Sequence, residues 1–391
     1  MKEIVYPDYG NSVLNFISSV LRAFGIDILY KPLPYIDSGK LAEKRNVVLI
    51  ILDGMGYNLY ENIKREEDFE NSTVRKITSV FPPTTASAIT SIMTGKSPLE
   101  HGIIGWTLFF KEFGKLIDVL PKMESPTGEP LNDSYSVTDI MGIKNIFQAI
   151  SKQSPHTDLI KITPAYLAKS DFSLTTSSPA KIIPYEKITD MLSNIEFAIK
   201  ENKRKKFIVA YSTEPDGLEH VNGVYSEKVS HFMKGIFRKI NACVDSIKNE
   251  NVTVFITADH GLTDVERYIH VSEDKELFDT ILLPPFPEPR FSTFFVKREK
   301  EEQFKKAIMK YESEFLIMSR EKFFDTGMLG KGEPHRKISD FIGDYVAIAK
   351  SSSVFKMKYD QGIRKSFEFK AHHAGITSEE MYVPLIEIDL G

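Results

Sequence analysis

Aspartate and histidine side chains, which commonly bind divalent metal ions, follow three apolar segments of this sequence. Each acid comes where an apolar run ends, and two adjacent histidines lie near the C-terminus. The candidate ligands are Asp53, Asp216, His220, Asp259, His260, His372 and His373. Carboxylates combined with imidazoles suit zinc or a similar transition ion better than magnesium or calcium, which prefer oxygen ligands. Each residue alone has an ordinary structural explanation, so the hypothesis depends on their sharing one site.

The apolar runs before these acids are predicted to be parallel strands buried on both faces. They span residues 46–52, 207–211 and 252–258. Between the second and third runs, apolar residues from Val229 to Ile247 recur at helical spacing and predict a long amphipathic helix. A strand, a helix and a strand at this spacing form a βαβ unit of a parallel sheet. Because ligands bind beyond the carboxyl ends of such strands, we expect the acids to meet at one edge of the sheet.

A hydroxyl nucleophile is suggested by the segment from Phe81 to Gly95. Two prolines precede Thr84 and Thr85, and the residues that follow favour a helix ending near Gly95. A threonine at the start of that helix would lie beside free N–H groups and the positive end of the helix dipole, which favour an anion. The same residues fit an ordinary helix N-cap. The pattern alone leaves both interpretations open, and does not distinguish between the two threonines.

Two glycine-containing segments resemble phosphate-binding loops but lack required residues. Gly54 and Gly56 follow a strand, as in a dinucleotide-binding fingerprint, but Leu59 stands at the third glycine position. Gly95-Lys96-Ser97 resembles the end of a P-loop, but Thr90 stands at its first glycine position. We therefore expect neither kind of nucleotide site.

The composition excludes several classes of protein. The chain has 391 residues, of which 50 are basic and 54 acidic, giving a net charge of −4, so a dedicated nucleic-acid-binding protein is not expected. The single cysteine, Cys243, cannot form an intramolecular disulfide and fits a reducing compartment. No signal peptide is recognised, and no apolar stretch approaches the roughly 18 residues of a membrane span. We expect a cytoplasmic protein that acts on a small molecule, with neither a nucleic-acid polymer nor a membrane as partner; its oligomeric state is left open.

The chain is expected to form a single catalytic domain over residues 1–391. Its core is predicted over about 40–105, 205–262 and 340–391. The stretches at about 106–200 and 263–340 mix proline-containing turns with short helical and strand-like pieces. We interpret these stretches as insertions that form a cap over the edge of the sheet, where specificity would reside.

Six motifs occur in order along the chain and together match a known family. They are Asp53-Gly54, Phe81-Pro82-x-x-Thr85 continuing to Ser91-x-x-Thr94-Gly95, His101-Gly102-Ile103, Glu214-Pro215-Asp216-x-x-x-His220, Asp259-His260-Gly261 and His373-x-Gly375. The set resembles the type I phosphodiesterase/nucleotide pyrophosphatase family of the alkaline phosphatase superfamily, over about residues 46–260 and 371–385. The resemblance implies an α/β fold, an alkaline phosphatase-like α/β/α sandwich with a mostly parallel central sheet and an inserted cap region.

The resemblance also implies two divalent metal ions and a threonine nucleophile. By position, one ion would be held by Asp216, His220 and His373, and the other by Asp53, Asp259, His260 and the hydroxyl of Thr85. Thr84 and His372 are the alternatives one residue away. Zinc is favoured by the ligand types, with manganese or mixed occupancy left open. The implied activity is hydrolysis of phosphodiester or pyrophosphate bonds through a covalent phospho-threonine intermediate.

The resemblance defines the substrate less sharply than the chemistry. The better-studied nucleotide pyrophosphatases place an asparagine three residues after the threonine, where this chain has Ala88. Gly54, Asn58 and Trp106 are candidate contacts for a phosphodiester or nucleotide substrate. The alternatives within the superfamily are a phosphomonoesterase or a phosphonoacetate-type hydrolase, with a phosphoglycerate-mutase-like transferase less favoured. From another class, a non-catalytic nucleotide-binding protein is the weakest alternative.

Overall fold

The structure, a computed structural model, describes residues 2–63, 69, 72–132, 136–359 and 367–391. The strands are β1 (Asn46–Leu52), β2 (Ser72–Thr78), β3 (Thr107–Phe110), β4 (Lys115–Asp118), β5 (Met123–Ser125), β6 (Asp158–Pro164), β7 (Lys181–Tyr185), β8 (Lys206–Ser212), β9 (Val252–Thr257), β10 (Thr263–Asp264), β11 (Arg267–His270), β12 (Phe286–Pro287), β13 (Phe291–Phe294), β14 (Phe315–Ser319), β15 (Tyr345–Ala349), β16 (Ser353–Lys356), β17 (Ala371–His372) and β18 (Tyr382–Leu390).

The helices lie between these strands. They are α1 (Val13–Ala23), α2 (Ser38–Glu43), α3 (Tyr57–Ile63), α4 (Thr85–Thr94), α5 (Pro98–His101), α6 (Val137–Met141), α7 (Ile146–Gln153), α8 (Asp171–Ser177), α9 (Ile188–Glu201), α10 (Asp216–Asn222), α11 (Glu227–Ile247), α12 (Lys275–Phe278), α13 (Glu301–Met309), α14 (Arg320–Asp325), α15 (Ile338–Phe341) and α16 (Ser378–Met381), with 3₁₀ turns at Val271–Glu273 and Arg298–Lys300. No helix in the described ranges is both long and apolar enough to cross a bilayer.

A seven-stranded sheet forms the centre of the fold, in the order β2-β18-β9-β1-β8-β6-β7. The five strands from β9 to β7 pair in parallel, and β18 pairs antiparallel with both β9 and β2. Every residue of β1, β8 and β9 is buried. This is why those strands read in the sequence as continuous apolar runs, and the predicted βαβ unit is β8-α11-β9.

Two groups of helices cover the sheet. In one group α9 and α3 pack against α11, and in the other α2 and α4 pack against α1. The apolar side chains of both groups and of the sheet form one large core cluster. Helix α1 begins with a capping box, because Ser12 and Asn15 satisfy each other's backbone N–H groups. The predicted α/β fold with a mostly parallel central sheet is therefore confirmed.

The predicted division into core and insertions needs correction at two places. Strands β6 and β7 lie within the segment 106–200, yet both belong to the central sheet. Conversely, β15 and β16 lie within the presumed core segment 340–391 but pair outside the central sheet. The segments outside the central sheet include the four-stranded sheet β12-β13-β15-β14 and the three-stranded sheet β3-β4-β5, which have their own apolar clusters.

Candidate functional site

The three neighbouring strands β9, β1 and β8 end at one edge of the central sheet and deliver the predicted acids there. Asp53 follows β1 and Asp259 follows shortly after β9. Asp216 opens helix α10, which places His220 one turn later on the same face, with its Nε2 3.3 Å from Asp216 Oδ1. Parallel pairing in register is what converts these distant sequence positions into one site.

The first ligand cluster consists of Asp53, Asp259 and His260, all buried, with ligand atoms within 4.8 Å of one another. His260 Nε2 lies 3.4 Å from Asp53 Oδ1 and 3.5 Å from Asp259 Oδ2. Backbone N–H groups of Gly54 and His260 donate to Asp259 Oδ1 at 3.2 and 3.1 Å. Asp259 Oδ2 is buried without a hydrogen-bond partner in the described residues, as expected of an oxygen available to a cation.

The second cluster consists of Asp216, His260 and His373, within the same limit of 4.8 Å. His373 Nε2 lies 3.9 Å from Asp216 Oδ1, and the His260 and His373 rings are 4.1 Å apart between centroids. The predicted ligand His220 is not among the residues within that limit; it contacts the cluster through Asp216, and His260 takes its place in the cluster. The neighbouring His372 belongs to neither cluster and pairs in β17 with Thr263.

Two of the histidines are held by backbone carbonyls. His220 Nδ1 donates to Ala371 O at 2.7 Å, and His260 Nδ1 donates to Gly261 O at 3.1 Å. A carbonyl can only accept, so Nδ1 carries a proton in each case, and Nε2 lies on the side of the carboxylates. This is the arrangement that metal-binding histidines usually have.

The charges at this edge fit divalent cations. Burial raises the pKa of Asp53 well above its usual value, and the charges of Asp259 and Asp216 raise it further. Burial also raises the pKa of Asp216, to about 7. Burial lowers the pKa of His373 well below its usual value, with His260 and His220 as additional causes. Buried carboxylates that repel one another beside neutral imidazoles are stabilised by positive ions.

Thr85 is the first residue of helix α4 and contacts the first cluster. Its Oγ1 lies 3.3 Å from each carboxylate oxygen of Asp53 and 3.1 Å from His260 Nε2. Thr84 is the N-cap residue, but its side chain makes no capping bond and donates instead to Glu288 Oε1 at 2.6 Å. The two threonines therefore point to different partners, and Thr85 faces the candidate metal ligands Asp53 and His260.

The candidate substrate contacts fall in three different environments. Trp106 is partly exposed and lines a cavity beside Thr85. Gly54 has φ +79°, and a Cβ there would lie 2.8 Å from Asp216 Cα, so this glycine permits close packing at the ligand residues. Asn58 does not line the cavity and instead hydrogen-bonds Tyr225. Ala88 is fully buried in the main apolar core.

The cavity next to Thr85 has a volume of about 520 Å³ and is largely apolar. Asp53, Asp216 and Thr85 contribute to it at the ligand side, while much of its wall comes from residues between 106 and 176. Ile89, Met93 and Phe172 are among its apolar residues. A cavity of this size accommodates a small organic group beside Thr85.

Three buried residues at the site were not predicted from the sequence. Tyr211 donates a hydrogen bond to Asp53 Oδ2. Glu288, from the segment outside the central sheet, accepts from Thr84 and from the Trp106 N–H at 2.7 Å. Glu219 is fully buried on α10, and neither of its carboxylate oxygens has a partner in the described part of the chain. Tyr211 lies at the end of a predicted strand, but no local pattern in the sequence indicates the contacts of any of the three.

Solved structures share this fold at low sequence identity. Murine ectonucleotide pyrophosphatase/phosphodiesterase 5, solved as an inactive variant in complex with AMP, aligns with a TM-score of 0.64 and 16% identity over 87% of this chain and 87% of that chain. Phosphonoacetate hydrolase from Sinorhizobium meliloti, in complex with phosphonoformate, aligns with a TM-score of 0.62 and 15% identity over 88% of this chain and 90% of that chain. The human ectonucleotide pyrophosphatase/phosphodiesterase 5 gives a TM-score of 0.64, 16% identity, and coverage of 88% and 87%.

At these identities the structural likeness shows the fold alone. No curated protein matches the sequence significantly. The sequence profile of the type I phosphodiesterase / nucleotide pyrophosphatase family, however, matches residues 47–374, which span the ligand residues from Asp53 to His373. Because that match covers most of the chain and includes both clusters, the protein belongs to the type I phosphodiesterase/nucleotide pyrophosphatase family.

Proposed function

We propose that this phosphoric ester hydrolase is a two-metal phosphodiesterase or nucleotide pyrophosphatase that uses Thr85 as its nucleophile. Hydrolysis of phosphoryl compounds follows from the family; the number of metals and the threonine intermediate are the proposal. The observation that carries it is the position of Thr85 Oγ1, within 3.3 Å of Asp53 and 3.1 Å of His260. A threonine that only capped its helix would have no reason to face two ligand residues.

The two clusters would each hold one divalent ion. Asp53, Asp259, His260 and the Thr85 hydroxyl would surround one ion, and Asp216, His220 and His373 the other. When bound, such ions favour the alkoxide form of a coordinated hydroxyl and neutralise charge on the phosphoryl oxygens. We propose zinc on the mixture of carboxylate and imidazole ligands, with manganese as the alternative.

Thr85 then carries out the first displacement. Its Oγ forms a bond to phosphorus as the bond from phosphorus to the leaving oxygen breaks, and the hydroxyl proton passes to solvent. The N-terminus of α4 directs backbone N–H groups towards the phosphoryl oxygens. In the second step a water oxygen bonds to phosphorus, the phosphorus–Thr85 bond breaks, and the free hydroxyl is regenerated.

The cavity beside Thr85 would hold the organic arm of the substrate, with Trp106 at its wall. A nucleoside fits a largely apolar space of this kind, and one similar structure is a complex with AMP. We propose that the substrate is a small phosphodiester or nucleotide. The location of the protein in a reducing, cytoplasmic compartment stays a prediction. A phosphomonoester or a phosphonate is the alternative that the assay below must distinguish.

The test is a substrate panel on metal-analysed protein. A nitrophenyl phosphodiester, a dinucleotide, a phosphomonoester and phosphonoacetate would be compared for wild type, Thr85→Ala, Thr85→Ser and Thr84→Val. We expect the diester or dinucleotide to be preferred, and Thr85→Ala to lose at least ~10³-fold in kcat. Thr85→Ser should keep measurable turnover, and Thr84→Val should keep most of it. Full activity in Thr85→Ala would exclude the nucleophile, and preference for phosphonoacetate would exclude the proposed substrate class.

A further inference from the structure

A lysine side chain is buried in the wall of the substrate cavity. Lys161 lies in the middle of β6 and is only 5% exposed. It lines the same cavity as Thr85 and Asp53. Lysine is among the residues least often buried, and when buried it usually has a partner of opposite charge. The surroundings of its ammonium group therefore need an explanation.

Within the described ranges, Lys161 makes no ion pair and no side-chain hydrogen bond. Its Nζ lies 5.5 Å from the centroid of the Tyr211 ring, which is its one polar or aromatic contact of note there. Burial alone lowers the pKa of Lys161, to about 7. Lys206, on the neighbouring strand β8, is also buried, but its Nζ donates to Asn202 O, Asn202 Oδ1 and Arg204 O at 2.7–3.0 Å. A structural lysine in this sheet is thus fully bonded, whereas Lys161 is not.

The backbone of Lys161 lies deeper in the sheet than that of Asp53. Its Cα is in register with Val209, and Val209 is in register with Leu49, four residues before Asp53. Two strand spacings and four residues correspond to roughly 10 Å across and 13 Å along the sheet. The Tyr211 side chain spans part of this distance, because its ring lies near Lys161 Nζ and its hydroxyl donates a hydrogen bond to Asp53 Oδ2. An ammonium group here meets a part of the substrate remote from the scissile bond.

The cavity between these two points is mostly apolar. Met93, Leu167 and Phe172 line it together with several hydroxyl-bearing side chains. An isolated ammonium in such surroundings is unfavourable until an anion reaches it. A ligand with an apolar body and a terminal anionic group would pack against the cavity wall and pair with the Lys161 ammonium group.

We propose that Lys161 binds an anionic group, a phosphate or a carboxylate, at the far end of the organic arm that fills this cavity. The proposal rests on the proposed function, because Thr85 marks the end of the cavity where the ester is cleaved. It narrows the substrate class to phosphodiesters or pyrophosphates that carry a second negative charge beyond an apolar or aromatic group. Lys161 is then a specificity-determining residue.

The first test compares diesters that differ only in the charge of one arm. 4-Nitrophenyl phenyl phosphate has a neutral arm, and its analogues with a carboxylate or a phosphate on the phenyl ring have anionic arms. All three release nitrophenolate. We expect wild type to favour an anionic arm in kcat/KM by roughly 10- to 100-fold, the range expected for a charge-assisted hydrogen bond. Lys161→Met should abolish that preference, and the two anionic arms identify whether carboxylate or phosphate is preferred.

Lys169→Met is the matched control, because Lys169 is exposed and lies next to a cavity-lining segment. It removes the same charge, so an unchanged preference in this variant excludes a general electrostatic effect. Thermal unfolding and metal content check that both variants fold. If Lys161 only stabilised the fold, Lys161→Met would lower the melting temperature. Because its ammonium group is unpaired, we expect the substitution to leave the melting temperature unchanged.

A second measurement does not depend on turnover. Calorimetry would compare naphthalene-1-carboxylate with naphthalene-1-carboxamide, which share a shape but differ in charge. We expect wild type to bind the carboxylate more tightly, and Lys161→Met to bind the two alike. A charge preference retained in Lys161→Met, or none in wild type, overturns the proposal. Loss of hydrolysis for all diesters, with carboxylate binding intact, would instead contradict the proposed function and leave the anion site standing.

Discussion

The Arg290 guanidinium donates to both carboxylate oxygens of Glu380, at 2.6 and 2.8 Å, and neither side chain is exposed. Arg290 also donates to the Ser353 and Ser351 carbonyl oxygens at 2.8 and 2.7 Å. Glu380 in turn accepts from the Gly375 N–H at 2.7 Å. This ion pair therefore connects the four-stranded sheet, at the start of β13, to the loop that carries the candidate metal ligand two residues before Gly375.

Replacing Arg290 with methionine should destabilise the protein strongly. The substitution leaves the Glu380 carboxylate buried without its counter-ion, which lowers the free energy of unfolding by roughly 3–5 kcal/mol. Urea unfolding of metal-depleted protein measures this effect without a contribution from bound ions. The control is Arg267→Met, since Arg267 is exposed and pairs with Glu314 at 3.0 Å; its loss should be below about 1 kcal/mol. Equal effects of the two variants would contradict this prediction.

The central sheet could be predicted where burial on both faces leaves a local pattern. β1, β8 and β9 are continuous apolar runs, and the long helix α11 shows one apolar stripe. β6 and β7 were missed because charged residues and proline interrupt them: Lys161 stands within the first, and Lys181 and Pro184 lie in the second. β6 joins the sheet by pairing with β8, and β7 joins it by pairing with β6; no local pattern encodes either pairing.

Asp53, Asp216 and Asp259 each follow a recognisable strand and His373 lies in a family motif, so these candidate ligands were identifiable from the sequence. Tyr211, Glu288 and Lys161 were not, since their roles depend on contacts between distant segments. Glu288 lies in a proline-containing stretch and reaches Thr84 across more than 200 residues of sequence. Its partner Thr84 looked in the sequence like an alternative nucleophile, and only the hydrogen bond assigns its hydroxyl elsewhere.

His373 and His372 should differ in their effect on metal content. His373 lies in the cluster with Asp216 and His260, whereas His372 lies outside it. His373→Ala should therefore reduce the bound metal by about one ion per chain, because losing one ligand of a small set typically weakens affinity by well over ~10-fold. His372→Ala is the matched control and should retain the wild-type metal content. Elemental analysis after dialysis against a weak chelator measures both, and the reverse pattern would transfer the ligand role to His372.

Glu288 should make stability depend on pH. Burial raises its pKa from about 4.5 to about 7, so the folded chain holds this proton over a range where the unfolded chain has lost it. The resulting stabilisation is complete below about pH 4.5 and is lost as the pH rises through 7. Glu288→Gln keeps an oxygen that can accept from Thr84 and Trp106 but does not ionise. It should exceed wild type in stability above pH 7, by at most about 3 kcal/mol.

Denaturant unfolding of metal-depleted protein at pH 5 and pH 8 measures this difference. The stability advantage of Glu288→Gln over wild type should be larger at pH 8. Glu302→Gln serves as the control, because the Glu302 side chain is 86% exposed, and its difference from wild type should be nearly the same at both pH values. A pH-independent difference for Glu288→Gln would show that the carboxyl group is ionised throughout.

Gly54→Ala should lower stability and metal content by more than the positive φ of Gly54 alone would cause. The glycine has φ +79°, and an added Cβ would lie 2.8 Å from Asp216 Cα and 2.9 Å from Glu219 Oε2. Gly114→Ala separates the two effects, because Gly114 has φ +63° with nothing within 4 Å of the added atom. The control should lose about 1 kcal/mol from backbone strain. Gly54→Ala should lose clearly more and bind less metal, since α10 must shift and carry Asp216 and His220 with it. If Gly54→Ala and Gly114→Ala lost equal stability and Gly54→Ala kept its metal, the end of β1 and α10 would be able to move apart without displacing the candidate ligands.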